Sequence, residues 1–182
     1  MKTSLKIIEF YNNLEKVSSD NNVEVLDPYK NPEVKEIYNS FYSKFFNDSD
    51  KRIILFGINP GRFGGGITGI PFTDPYNLFK YCGIESKFDQ KKELSSKFIY
   101  DMINSYGGVE KFYKKFFISS ICPYGFTFNG NNLNYYDDID LFNKWKNKIV
   151  EWIKFEVKNI VTKKICVIIG KGKNQKFFEL LN

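Results

Sequence analysis

A single-domain α/β fold built on a small parallel sheet is what this sequence predicts, on three observations. Short, nearly continuous apolar runs at 52–57, 116–121 and 165–169 read as strands covered on both faces. Amphipathic stretches with helical spacing alternate with them, which favours parallel strands joined by right-handed crossovers. Each run leads into a loop rich in glycine or proline, at the carboxyl ends where such sheets bind ligands.

Each element has its own signal. Leu5, Ile8, Phe10 or Tyr11, Leu14 and Val17 recur at helical spacing after Thr3-Ser4, which can cap, and the polar run 18–22 should stop that helix. Asn31 as cap and Pro32 at the first helical position precede a stripe of Val34, Ile37, Phe41 and Phe45, ending at Asn47-Asp48. Both helices should pack on the sheet, whose central strand is 52–57. Helices follow at 75–81 and 95–106, with Gly107-Gly108 before a short segment at 109–114. The second strand, 116–121, enters a segment, 122–136, that holds Pro123, Gly125 and Gly130 and reads as a long exposed functional loop. Leu141, Trp145, Ile149, Ile153, Val157 and Ile160 mark one long helix, with Trp145 and Trp152 in the core. The third strand, 165–169, turns at Gly170 and Gly172 into a last helix from Asn174.

Composition narrows the class. With 182 residues, 42% apolar and 18% aromatic, the chain has room for one α/β core and not two. A net charge of +6 and a pI near 9.0 suit a polyanionic partner, although a composition rich in lysine and asparagine gives the same excess without one. Cys82, Cys122 and Cys166 are odd in number and widely spaced, which points to free, reduced, buried thiols in a cytoplasmic protein. Charge interrupts the first sixteen residues, and no segment approaches the roughly eighteen apolar residues of a membrane span, so secretion and membrane insertion are not expected.

The most informative stretch is 57–72, GINPGRFGGGITGIPF, directly after the first strand. Glycine provides tight turns and close approach but no chemistry, which leaves Asn59, Arg62, Phe63, Thr68 and Phe72 to provide it. Gly64 to Gly69 also fits G-x-G-x-x-G, but it lies seven residues past the strand and meets Pro71 instead of opening a helix; no Lys-Ser or Lys-Thr follows to make a P-loop.

Gly-x-Asn-Pro-Gly-x-Phe-Gly at 57–64 and Thr-Gly-x-Pro-Phe at 68–72, in one register, resemble the first motif of the single-strand-selective monofunctional uracil-DNA glycosylases of the uracil-DNA glycosylase superfamily. The resemblance implies a three-layer α/β sandwich. It also implies an enzyme of base excision repair that flips uracil or a related deaminated base out of single-stranded or duplex DNA and hydrolyses its N-glycosidic bond, as a monomer without metal or cofactor. By the match of motif, Asn59 holds the attacking water and Phe72 is the platform beneath the flipped base. Peptide groups at Ile58 and Phe72 address the base carbonyls, and Gly61 stiffens this base-binding loop. Arg62, Gly64 and Gly65, with Lys171 and Lys173 at the third strand's end, are the expected contacts to the DNA backbone. The physics agrees, because uracil's face is apolar and its edge is not. The base leaves as an anion from an oxocarbenium-like sugar, so preorganised donors matter more than a strong base.

Two features depart from the family. Before Ile121-Cys122-Pro123 stands Ser120, where a pocket asparagine is expected, and a hydroxyl cannot present the paired donor and acceptor of an amide. The 182 residues also contain no histidine, whereas the family carries a His-Pro motif on a further strand. The sequence therefore predicts a domain lacking that final edge strand, with 165–169 as an apolar edge. Losing one such donor costs about 2.7 to 4 kcal/mol of transition-state stabilisation, roughly a hundred- to thousandfold in rate. Two alternatives stay open: a relative that binds DNA with little or no catalysis, and a small nucleotide-binding protein using the same loop.

Overall fold

The computed structural model, which describes residues 1–15, 23–161 and 165–181, is organised around a three-stranded parallel sheet. Its middle strand, β2 (Ile53–Gly57), lies between β3 (Phe116–Ser120) and β6 (Cys166–Ile168). Ile53 is in register with Phe116 and Gly57 with Ser120, so β2 and β3 end level; Ile54 is in register with Cys166. Adjacent residues on β3 reveal the covering layers, because successive side chains leave a strand on opposite faces. The Phe116 ring lies 5.3 Å from Tyr106 and 4.9 Å from Phe112, on α5 (Leu94–Tyr106) and α6 (Val109–Tyr113). Phe117 lies instead 5.7 Å from Phe46 and 6.4 Å from Tyr42, at the end of α2 (Pro32–Phe45). The result is the expected three-layer arrangement.

Most helices fall where the sequence places them. Asn31 accepts a hydrogen bond from the Glu33 N–H at 2.9 Å, Pro32 opens α2, and Val34, Ile37, Phe41 and Phe45 are all buried. α4 (Pro75–Cys82), α5 and α6 match the three expected segments, and α7 (Ile139–Asn159) is the long helix. Trp145 is buried and Trp152 half-buried, each 5.6 Å from Tyr124. The final helix is α8 (Lys173–Glu179).

The first helix, α1 (Thr3–Asn12), differs in phase. It buries Ile7, Phe10 and Tyr11, while Leu5, placed on the inner stripe by its spacing, is 52% exposed. The rings decide: Phe10 stacks on Phe155 at 5.5 Å and Tyr11 on Tyr42 at 5.6 Å, and aromatic burial outweighs that of one leucine. Thr3 and Ser4 are buried inside the helix and do not cap it; their N–H groups donate to the Asp48 and Phe46 carbonyls at 2.7 and 2.9 Å. Val17 and the expected stop at 18–22 lie outside the described residues.

A second sheet departs from the sequence reading. The segment 122–136 is not a surface loop: it holds β4 (Gly125–Phe128) and β5 (Asn131–Leu133), turned by Asn129-Gly130 with φ of 49° and 72°. β1 (Val23–Leu26) completes an antiparallel sheet in the order β1-β4-β5. Residues 122–127 are buried because Phe126 packs on Trp145 at 5.2 Å and the Pro123 carbonyl accepts from the Tyr29 hydroxyl at 3.1 Å.

The thiols follow from position in these layers. All three are free; Cys82 and Cys122 are buried, and burial pushes each thiol up to about 12. Cys166 is exposed, against expectation, because among the described residues β6 pairs on one side only: its neighbours Ile165 and Val167 are 59% and 44% exposed.

Beneath β3 lies a buried carboxyl. Glu156 of α7 accepts a 2.5 Å hydrogen bond from the Ser119 hydroxyl, and burial raises its pKa from 4.5 to about 8. The native state therefore holds a proton that the unfolded chain has lost between those two values. Stability is highest below pH 4.5 as far as this group is concerned, falls as pH rises to about 8, and is flat beyond. Glu156→Gln keeps the acceptor and removes the titration. Thermal unfolding across that window should show a Tm decline in the wild type that is flattened in the variant, with the variant the more stable at the alkaline end.

Candidate active site

The level ends of β2 and β3 bring together residues far apart in the chain. Gly57 and Ser120 are neighbours across the ladder, about 4.8 Å apart as paired strands are. Beside them lies Phe72, whose ring occupies the space a Cβ on Gly57 would need, so only glycine at that strand end lets the ring approach. Phe72 itself has φ of 55°, a conformation side chains rarely adopt and one that costs of order 1–3 kcal/mol. The flanking threonines hold it there. The buried Thr68 hydroxyl donates to the Thr73 carbonyl at 2.6 Å and accepts from the Ile70 N–H at 3.2 Å, while the Thr73 hydroxyl lies 3.1 Å from that of Tyr100. Thr68 thus fixes the turn and does not face a ligand.

Asn59 follows two residues after the strand end, and its amide is clamped from outside the motif. Nδ2 donates to the Leu133 carbonyl at 3.2 Å, and Oδ1 accepts from the Tyr135 N–H at 3.0 Å. These partners fix which end is oxygen and leave one lone pair of Oδ1 uncommitted. Tyr135 continues the clamp, its hydroxyl 3.5 Å from Asn174 Oδ1, while Asn174 Nδ2 donates to the Ile169 carbonyl at 2.9 Å. The ends of β2 and β6 are thereby tied together through Tyr135 and Asn174.

Ile58 spends its carbonyl on the Cys122 N–H at 3.1 Å, while its own N–H and that of Phe72 have no partner among the described residues. Ser120 is buried at the end of β3, level with Gly57. Arg62 stands at the mouth, its N–H on Asn132 Oδ1 at 3.0 Å and its guanidinium 4.5 Å from the Phe63 centroid. Lys171 is exposed after β6, and Lys173 lies 4.0 Å from Asp137. The glycines sit inside the loop. Gly61 and Gly64 face the carboxylate of Glu93, which fills the space their side chains would take, and Gly65 is buried against the Ile70 carbonyl. Gly64 and Gly65 are expected to follow a DNA backbone, and Gly65 begins a single turn of helix, α3 (Gly65–Thr68), in what reads as loop.

Residues 43–182 match the family model described as the Uracil DNA glycosylase superfamily. The chain belongs to that superfamily. A crystal structure of wild-type SMUG2 from Pedobacter heparinus matches with a TM-score of 0.93 and 39% sequence identity, covering 100% of this chain and 81% of that one. No curated protein matches. The protein is a DNA glycosylase, a hydrolase of N-glycosyl bonds that works in the repair of uracil-containing DNA.

Sequence reasoning misses three parts of this glycosylase's site. Tyr135 and Leu133 have a usable signal, since Asn129-Gly130 between alternating apolar residues marks a hairpin whose exit strand must return toward the first sheet. Glu93 has none; burial and the neighbouring Asp74 hold its carboxyl above the usual carboxylate range, and only the fold shows where it lodges.

Gly57→Ala tests the platform. The added methyl must displace the Phe72 ring, an overpacking that costs about 1–3 kcal/mol. The variant should fold with a lower Tm in calorimetry and lose most of its uracil excision in a gel assay.

Proposed function

We propose that this glycosylase hydrolyses uracil and related deaminated bases from DNA by positioning, with Asn59 holding the water and no side chain acting as a strong base. The clamped Asn59 amide carries this reading: a side chain tied to Leu133 and Tyr135 has one free oxygen lone pair with which to orient a water, and no freedom to turn away. The flipped base stacks on the face of Phe72. The N–H groups of Ile58 and Phe72 and the Ser120 hydroxyl donate to the base carbonyls, where negative charge collects as the base departs. Preorganised donors of this kind stabilise the leaving anion.

Ser120 sets the base preference. One hydroxyl offers a single donor or acceptor that can rotate, so the pocket discriminates less between deaminated bases than an amide would. Arg62 and the exposed Lys171 and Lys173 meet the phosphates, with Gly61 keeping the loop closed on Glu93. The free thiols suit a monomer working in the cytoplasm; among the described residues no helix is long and apolar enough to cross a membrane.

The test is alkali cleavage at abasic sites in a labelled single-stranded oligonucleotide carrying one uracil. Wild-type protein should give uracil-dependent cleavage, and Asn59→Ala should lower the single-turnover rate by about a hundredfold or more without loss of fold. Equal rates for the two proteins would remove Asn59 from the mechanism. Phe72→Ala should weaken binding of the uracil strand by about 1–3 kcal/mol, the usual worth of one base–aromatic stack.

A further inference from the structure

A ridge of alternating rings and cations leads away from the catalytic loop, built from three separate pieces of chain. It begins at Arg62, whose guanidinium lies 4.5 Å from the Phe63 ring, with Lys91 Nζ 5.3 Å from the same ring. The next residue, Lys92, reaches the ring of Tyr76 at 3.9 Å. Lys80, one turn further along α4, lies 5.5 Å from Tyr76 and 4.9 Å from Tyr81. The three lysines are exposed, and the rings are half-buried with a wetted side. None of the four cations is ion-paired among the described residues, whereas Lys97 just beyond them is held by Asp101 at 2.5 Å.

Four like charges brought together repel, and an exposed cation–π contact returns only about 0.5–1 kcal/mol. A polyanion relieves that repulsion by releasing counterions. The rings add what a duplex cannot use: the half-buried Phe63 and Tyr76 are platforms on which an unpaired base can stack, worth about 1–3 kcal/mol per base, whereas Tyr81 is already stacked on Tyr100 at 5.4 Å. Position supplies the rest. Arg62 is three residues from Asn59 and Tyr76 is four from Phe72, so the ridge starts where a flipped nucleotide would enter.

We infer that an unpaired stretch of the substrate strand runs along this ridge, its phosphates on Arg62, Lys91, Lys92 and Lys80 and its bases against Phe63 and Tyr76. This rests on the glycosylase reading for its direction, but binding can be measured without catalysis.

The experiment titrates a fluorescent, undamaged oligodeoxythymidine and a duplex of equal length against the full chain by anisotropy over a range of salt. The triple variant Lys80→Gln, Lys91→Gln, Lys92→Gln should reduce the slope of log affinity against log salt for the single strand by about 2, at about 0.7 for each phosphate no longer neutralised. A control triple on exposed α7 lysines, Lys146→Gln, Lys154→Gln, Lys158→Gln, should leave that slope in place. Tyr76→Leu, which keeps apolar bulk and removes the ring, should weaken single-strand binding about fivefold or more and spare the duplex. Circular dichroism confirms that each variant is folded. Equal slopes for the two triples, or equal losses on single strand and duplex with Tyr76→Leu, would overturn the ridge. A chain that binds through the ridge but excises nothing would sink the catalytic reading alone, and an active chain indifferent to the ridge would sink this one alone.

Discussion

The site depends on one clamp. The Asn59 amide is held between the Leu133 carbonyl and the Tyr135 N–H, residues more than seventy positions away in the chain. A motif loop so rich in glycine has little side-chain packing of its own to keep it in one conformation, and each ordered glycine loses more backbone entropy than another residue would. The clamp supplies what the loop lacks. It also explains why an asparagine fits: an amide offers a donor to one backbone group, an acceptor to another, and a remaining lone pair.

The clamp in turn rests on the second sheet. Residues 133–135 are where they are because β4 and β5 turn at Asn129-Gly130 and β4 pairs with β1, with Phe126 packed on Trp145 behind. The hairpin meets the motif loop at two more points: the Gly125 backbone lies against the Pro60 carbonyl, and Asn132 accepts from the Arg62 N–H. A small antiparallel sheet thus braces a loop that emerges from a parallel one. The strained Phe72 is braced from the other side by Thr68, Thr73 and Tyr100, so rigidity reaches both edges of the pocket.

The residues of the parallel sheet and of most helices are legible because their signals are local: continuous apolar runs for β2 and β3, and a cap, a proline and a stripe for α2. The motif at 57–72 announces Asn59 and Phe72 through resemblance, and the fold brings both to one strand end. What escapes is set by tertiary contact. The phase of α1 follows rings on α2 and α7 that spacing cannot reveal, and β1 is four residues whose partner lies about a hundred residues on. The hairpin is different, since its Asn-Gly turn is readable but is masked by the glycines and asparagines around it, which carry the composition of a loop. Glu93 is invisible, because a carboxylate lodged against Gly61 and Gly64 leaves no pattern in the sequence.

In the proposed mechanism, with Asn59 holding the water, the chemistry comes down to positioned donors and one oriented water. Its most direct test is the pH dependence of single-turnover uracil excision, measured with enzyme in excess at a temperature well below the melting transition. Catalysis by positioning predicts a rate that stays level within about twofold from roughly pH 6 to 8.5, because no group that makes or breaks a bond titrates there. A rate that climbs through that range along a single titration curve would reveal a working base, with Glu93 the first residue to substitute, and would contradict the account.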